Sequence, residues 1–356
     1  PEEDEYARFE YGIPPEKNGD YAFLLHILKS LKSTGKAAVI LPHGVLFRGN
    51  AEADIRRNLI KQGYIKGIIG LPANLFYGTG IPACIIVIDK AGAKVRLEDA
   101  DSGIFMIDAS KGFKKDGPKN RLRDQDLHKI VDVFNNQIVD SRYSRMVRFS
   151  EIESNDYNLN IPRYIDSSAA EDLHDLSAHL CGGIPNADIE ALDKYWQVFP
   201  SLRKTLFTAD RKGYSKALVK AAEVKNTILQ HQEFKDFAEL SITLFHNWKE
   251  QANLSAISQN DFPKEVIHRI SEDLLNAYTD APLLARYDMY QNIMDYWTAI
   301  MQDDVYFKTQ DGWAAANSIR ELVVKKGEKL RETPDLIIKK AKYKAELIPP
   351  ALIVQR

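Results

Sequence analysis

Four short apolar runs in the first half of the chain, GKAAVILP, YIKGIIGLP, ACIIVIDK and SGIFMIDAS, constrain the fold more than any other feature. Apolar residues at consecutive positions suit strands buried in a sheet that is covered on both faces; a half-exposed strand would alternate. Helix signals lie between the runs. From Asp20 to Lys32, residues Phe23, Leu24, Ile27, Leu28 and Leu31 share one broad face, with Asp20 as N-cap. Asn50 is placed to cap a second helix through Lys61, with Gly63 as its C-cap, and a third helix runs from about Asp124 to Asn136. This alternation predicts an α/β sheet with helices on both faces. No helix separates YIKGIIGLP from ACIIVIDK. Parallel neighbours need a crossover, so one of these two strands is expected to be antiparallel or at an edge.

The pattern changes after NDYNLNIPRYID. Periodic segments at 187–207, 215–232, 262–278, 282–302 and 334–345 carry Leu, Ile, Ala and aromatics at three- and four-residue spacing, which predicts helices. The expected organisation is an α/β part over 1–165 and an all-α part over 166–356. A length of 356 residues with 44% hydrophobic composition can fill two cores. The formal charge of −2 carries no global sign of nucleic-acid binding, although a local basic patch can exist. Cys84 and Cys181, the only cysteines, fit neither a disulfide framework nor a zinc site and read as reduced, cytoplasmic thiols, with Cys84 a core hydrophobe. No stretch is apolar enough to span a bilayer and no signal peptide is recognisable, so a cytoplasmic protein is expected. The ends, at Pro1 and at IPPALIVQR, read as cut from a longer protein or trimmed to its ordered part.

The loop of LPANLFYGTGIPACIIVIDK carries the adjacent aromatics Phe76 and Tyr77 beside Gly78 and Gly80. Gly78 to Ala83 formally matches a dinucleotide-binding G-x-G-x-x-A. That motif must open a helix, whereas Pro82 and a β-branched run predict a strand, so no nicotinamide or flavin site is assigned. Two readings of the aromatic pair stay open. In one, Phe76 packs under the sheet as a plug and Tyr77 lies over its edge. In the other, the rings form a platform on which an extruded base stacks, at the end of a strand where open α/β sheets bind ligands. The stretch DASKGFKKDGPKNRLRDQD gathers Lys111, Lys114, Lys115, Lys119, Arg121 and Arg123, either as a solvated loop or as phosphate contacts. A second basic stretch, Lys325 to Lys344, reads as helical, with a solvated or partner-facing surface. His43 ends a strand and is a polar candidate at the sheet's carboxyl edge or a structural histidine. No Ser–His–Asp, metal-ligand or P-loop spacing accompanies it, and no metal site is assigned.

Several strings together resemble the modification subunit of type I restriction–modification systems, an adenine-N6 DNA methyltransferase. They are DYAFLLHILKSL, GKAAVILPHGVLFRGNAEADIRRNLI, IIGLPANLFYGTGIPACIIVIDK, FMIDAS, NRLRDQD, NDYNLNIPRYID, ALDKYWQVFPSLRKTLF and MQDDVYFKTQDGW. The resemblance implies the C-terminal part of a mostly parallel, doubly wound, Rossmann-like sheet with one antiparallel strand near its end, followed by a helical domain. It implies S-adenosylmethionine as methyl donor and the exocyclic amine of a flipped adenine as acceptor, stacked on Phe76 first and Tyr77 second. The family's glycine-rich cofactor motif and its Asn-Pro-Pro-aromatic motif are not found here, and both are expected upstream of Pro1, so the chain alone is expected to be inactive. The implied partners are DNA, a specificity subunit docked on the helical part, a second modification subunit and a restriction nuclease subunit. A non-catalytic, methyltransferase-like scaffold and an RNA-modifying enzyme of similar fold are the alternatives.

Overall fold

The computed structural model describes residues 4–168, 174–324, 329–330, 332–345 and 347. The chain divides into two compact units, Pro1–Asp172 and Leu173–Arg356. The first runs α1 (Asp20–Ser30), β1 (Lys36–Pro42), α2 (Ala51–Lys61), β2 (Ile65–Gly70), β3 (Ala83–Asp89), α3 (Ala93–Glu98), β4 (Gly103–Asp108), β5 (Lys114–Asp116), β6 (Lys119–Arg121), α4 (Asp124–Asn136), β7 (Ser144–Arg148) and α5 (Phe149–Ser154).

Five strands form one sheet in the order β1-β3-β2-β4-β7. Strand β3 runs antiparallel to both β1 and β2, as the missing helix between β2 and β3 requires. Only β2 and β4 pair in parallel, and β7 returns antiparallel along β4. The expectation of a mostly parallel sheet is therefore not met among the described residues: three of the four strand pairs are antiparallel. Two of these pairs arise because β3 lies between β1 and β2, and the third involves β7, which carries little sequence signal. Its Ser-Arg-Met-Val-Arg has too few apolar residues to announce a strand, yet Val147 is fully buried.

The sheet buries both faces. On one, Cys84, Ile86 and Ile88 of β3 meet Ile68, Ile104, Met106, Val147 and the inner faces of α1 and α2. On the other, Ile69, Phe105 and Ile107 meet Ile130 and Val133 of α4. Every residue of β4 is buried, which accounts for its unbroken apolar run. Each fully buried Ile or Leu contributes about 1.5–3 kcal/mol. Helix α4 packs closely because Gly67 has no side chain: a Cβ there would lie 2.4 Å from Phe134 Cε2 and 2.8 Å from the Phe105 carbonyl oxygen. The buried face of α1 is Tyr21, Leu24, Leu25 and Leu28, and Phe23 points outward instead of joining it. Asp20 is the first residue of α1, after Gly19 as N-cap. Asn50 and Gly63 flank α2 as expected, although Asn50 makes no side-chain cap. Burial pushes the Cys84 thiol up to about 12, so it stays protonated as a core hydrophobe.

One buried cation ties this unit together. Arg56 of α2 donates to the carbonyl oxygens of Tyr157 at 2.8 Å, Val45 at 3.2 Å and Arg48 at 2.9 Å. It thus joins α2 to the turn after β1 and to the segment that follows α5.

The second unit contains α6 (Leu176–Cys181), β8 (Ile184–Pro185), α7 (Asn186–Glu190), α8 (Asp193–Val198), α9 (Pro200–Leu206), β9 (Phe207–Ala209), β10 (Tyr214–Ala217), α10 (Ala221–Gln230), α11 (Gln232–Ala252), α12 (Pro263–Ala277), α13 (Arg286–Tyr296), α14 (Gln302–Asp311), β11 (Ile319–Glu321), β12 (Leu336–Ile338) and β13 (Ala341–Ala345). Trp248, Ile270, Leu274, Ile293, Trp297 and Val305 form the core of its helix cluster. The all-α expectation is corrected by two small sheets, β8-β10-β9 and β11-β13-β12. Segment 187–207 breaks into three short helices, because Pro200 cannot donate to a preceding turn and starts α9 instead. Segment 334–345 is a β-hairpin, not a helix: Ala341, Tyr343 and Ala345 alternate with Lys342 and Lys344, the two-residue period of a strand. Of the basic stretch read as helical, residues 325–328 and 331 lie outside the described residues.

Candidate nucleic-acid interface

The carboxyl ends of β1, β2 and β4 and the start of β3 share one sheet edge, through the pairs Pro42↔Ala83, Gly70↔Cys84 and Gly70↔Asp108. Segment 71–82 leaves and re-enters the sheet there. The Leu71 amide donates to the Ala83 carbonyl oxygen at 2.9 Å, and Leu71 and Leu75 pack into the core under α4. These two leucines are the plug. Phe76 is left 39% exposed and Tyr77 94% exposed. Gly78, at φ +79°, turns the chain in the left-handed region that glycine adopts freely.

The β5–β6 hairpin braces this loop from below. The Asn120 amide donates to the Asn74 carbonyl oxygen at 2.9 Å, and its side-chain Nδ2 donates to the Ala73 carbonyl oxygen at 2.7 Å. Lys119 Nζ donates to the carbonyl oxygens of Phe76 at 2.6 Å and Thr79 at 2.9 Å. The ammonium therefore fixes the backbone on both sides of Tyr77. Neither Asn120 nor Leu75 stands out in the sequence; the lone Asn between two basic residues of a short strand is the only available signal.

The six basic candidates separate by role. Lys114, Lys115 and Arg121 are exposed on the hairpin, with Lys115 Nζ 5.5 Å above the Phe113 ring and Arg121 4.0 Å from Asp116. Lys119 is occupied by the loop. Arg123 pairs with Asp126 at the start of α4, and Lys111 donates to the Ser167 carbonyl oxygen. Lys111 and Arg123 line a cleft of about 370 Å³ with Asp108, Gln125, Lys129 and Tyr143. Asp108 is satisfied by the Ser110 amide at 3.0 Å and the Ser167 hydroxyl at 2.6 Å.

Replacing Lys119 with Met leaves two loop carbonyls without their charged donor. Such bonds are worth about 1.5–3 kcal/mol, so amide exchange over 76–81 is expected to accelerate by roughly ten- to a hundredfold, with Lys119→Arg intermediate. Unchanged exchange in the Met variant would show that the ammonium does not hold the loop.

His43 sits at the same edge. Its amide donates to the Pro82 carbonyl oxygen at 3.0 Å, its ring meets Phe47 edge-on, and its buried Nε2 has no hydrogen-bond partner. Burial pushes its pKa down against the pull of Asp108, which favours the neutral ring. A histidine depressed in the folded state takes up its proton more readily when unfolded. Stability is therefore expected to fall as pH drops below about 6.5. Thermal midpoints measured between about pH 7 and pH 5 should slope less in His43→Asn than in the parent chain; equal slopes would remove His43 as the cause.

Among the described residues no group of three or more His, Cys, Asp or Glu could hold a metal ion, and no helix is long and apolar enough to cross a membrane. The Gly78-Thr79-Gly80 run leads into β3, so it presents no helix N-terminus to an anionic or polar cofactor group.

The sequence model of the N-6 DNA methylase family matches residues 1–173. The type I restriction enzyme MpnII methylase subunit of Mycoplasma pneumoniae is 33% identical over 164 residues, covering 46% of this chain and 29% of that protein. The MjaVII methylase subunit of Methanocaldococcus jannaschii is 34% identical over 157 residues, covering 43% and 26%. Among solved structures, the type I restriction–modification methyltransferase subunit of Streptococcus thermophilus aligns at 41% identity with a TM-score of 0.42, over 45% of this chain and 33% of that one. Residues 1–173 of the 356 are therefore similar to the N-6 DNA methylase family. Over much of that part it also resembles the methylase, or modification, subunits of type I restriction systems. It spans less than a third of the length of these two curated relatives.

Proposed function

We propose that this chain is part of a site-specific DNA methyltransferase that transfers a methyl group from S-adenosylmethionine to the N6 amine of an adenine turned out of the duplex. The observation that carries this reading is the exposed aromatic pair on a braced loop at the sheet's carboxyl edge, with Leu71 and Leu75 already serving as the plug. A flat ring held at a fixed height costs little ordering when a base stacks on it. Phe76 is the primary platform and Tyr77 the second. Lys114, Lys115 and Arg121 supply phosphate contacts beside the loop, Lys111 and Arg123 border the adjoining cleft, and Lys119 serves the same surface by fixing the loop. In this reading the sheet is the C-terminal part of a doubly wound methyltransferase sheet. The cofactor site and the groups that orient the amine come from elsewhere in the enzyme, and this chain alone is inactive.

The second unit docks a specificity subunit in this account, beside a second modification subunit and a restriction subunit. Leu240, Ile242 and Phe245, exposed on α11, support a partner surface there. The product tests the chemistry. DNA methylated by the complete assembly, digested to nucleosides, should yield N6-methyldeoxyadenosine. A methylated cytosine, or methylation of RNA in preference to DNA, would overturn the assignment.

A further inference from the structure

Strands β12 and β13 form a hairpin in the second unit. Ile338 pairs directly with Ala341, which leaves Lys339 and Lys340 as a two-residue turn. Both have positive φ, +48° and +76°. This is the tight hairpin turn that Asn-Gly fills most cheaply, and long side chains there are strained. The chain thus keeps two lysines where they oppose stability. Neither ammonium has an ion pair or side-chain hydrogen bond among the described residues.

The strand register extends the charge. Residues directly opposite share a face of the sheet. The pairs Ile337↔Lys342 and Arg320↔Lys344 therefore place Arg320, Lys342 and Lys344 on one face beside Ile337. Charges at the base of that face are neutralised: Glu332 holds Arg320 at 2.7 Å and Asp335 holds Lys344 at 3.4 Å. Toward the tip there is no acid partner among the described residues. Lys339, Lys340 and Lys342 are exposed and uncompensated, and Ile337 beside them is 66% exposed.

We propose that this hairpin is a nucleic-acid-binding wing in which Lys339, Lys340 and Lys342 contact backbone phosphates, with Ile337 against the adjoining sugar. A convex tip of strongly hydrated point charges with no pocket suits a polyanion read for its backbone rather than its sequence. The site does not depend on the aromatic loop or on methyl transfer.

The test measures binding of the full chain to a mixed-sequence DNA duplex across a salt series. The informative variant is K339N/K340G, which installs the residues that the turn geometry prefers. Its thermal midpoint should equal or exceed the parent's, so lost binding cannot be ascribed to unfolding. Each phosphate contact adds about 0.9 to the salt slope, roughly eightfold in affinity near 0.1 M salt. The double variant should therefore bind tens of fold more weakly with a slope smaller by about two, and K342T should lower both again. The same differences should persist on a Phe76→Ala background, separating the wing from the platform. Unchanged affinity and slope in K339N/K340G would overturn the proposal. So would polyglutamate binding as tightly as DNA with the same lysine dependence, which would mark the surface as a site for an acidic protein.

Discussion

In the complete enzyme, Phe76→Ala is expected to lower methyl transfer by roughly five- to a hundredfold, because stacking of one base on an aromatic ring is worth about 1–3 kcal/mol. Lys119 holds the Phe76 carbonyl, which fixes the backbone that carries the ring, and the residue is 39% exposed. Tyr77→Ala should cost several-fold, since that ring projects fully into solvent and offers a less constrained surface. Phe76→Trp should retain most activity, because any large flat ring can serve. The measurement pairs methyl incorporation with the emission of 2-aminopurine at the target position, which reports base extrusion separately from transfer. Phe76→Ala/Tyr77→Ala with full activity would leave the loop without a role at the base.

Arg56→Met is expected to be the most destabilising single change outside the apolar core. The residue is 3% exposed and its guanidinium serves three carbonyl oxygens. Its charge also helps to offset burial, which pushes the nearby Glu52 carboxyl up. Removing one member of a buried, hydrogen-bonded charge system costs about 3–5 kcal/mol. For a unit of this size that lowers the thermal midpoint by roughly 6–20 °C. Lysine should recover only part of the loss, because an ammonium cannot span three acceptors set by a planar fork. Calorimetry on the two variants checks this; a shift of only a degree or two would mean that water replaces the guanidinium at those carbonyls.

Much of the first unit is legible because its strands are buried on both faces and therefore apolar at consecutive positions. The missing helix leaves an antiparallel or an edge strand at β2 or β3, and the sheet shows β3 to be antiparallel to both its neighbours. Strand β7 is not legible, since only Val147 in it is strongly apolar and its pairing with β4 is a tertiary fact. The aromatic loop is visible as a candidate, but the packing of the half-buried Leu75 against the core beneath it is not. The roles of the basic residues are beyond sequence reasoning: Lys119 and Lys114 are alike in type and near in sequence, yet one is spent on backbone carbonyls and the other is exposed. In the second unit, helical spacing outweighs the shorter period of AKYKA and hides the hairpin.

The central claim, that this chain is an incomplete portion of an adenine methyltransferase, is tested most directly by transfer of a labelled methyl group from S-adenosylmethionine to DNA containing the recognition site. The chain alone is compared with the full-length modification subunit bound to its specificity subunit. Label in the assembly and none with the chain alone is the expected result. Label with the chain alone would contradict the claim by revealing a cofactor site within these residues, and no label in the assembly would point to the scaffold reading instead.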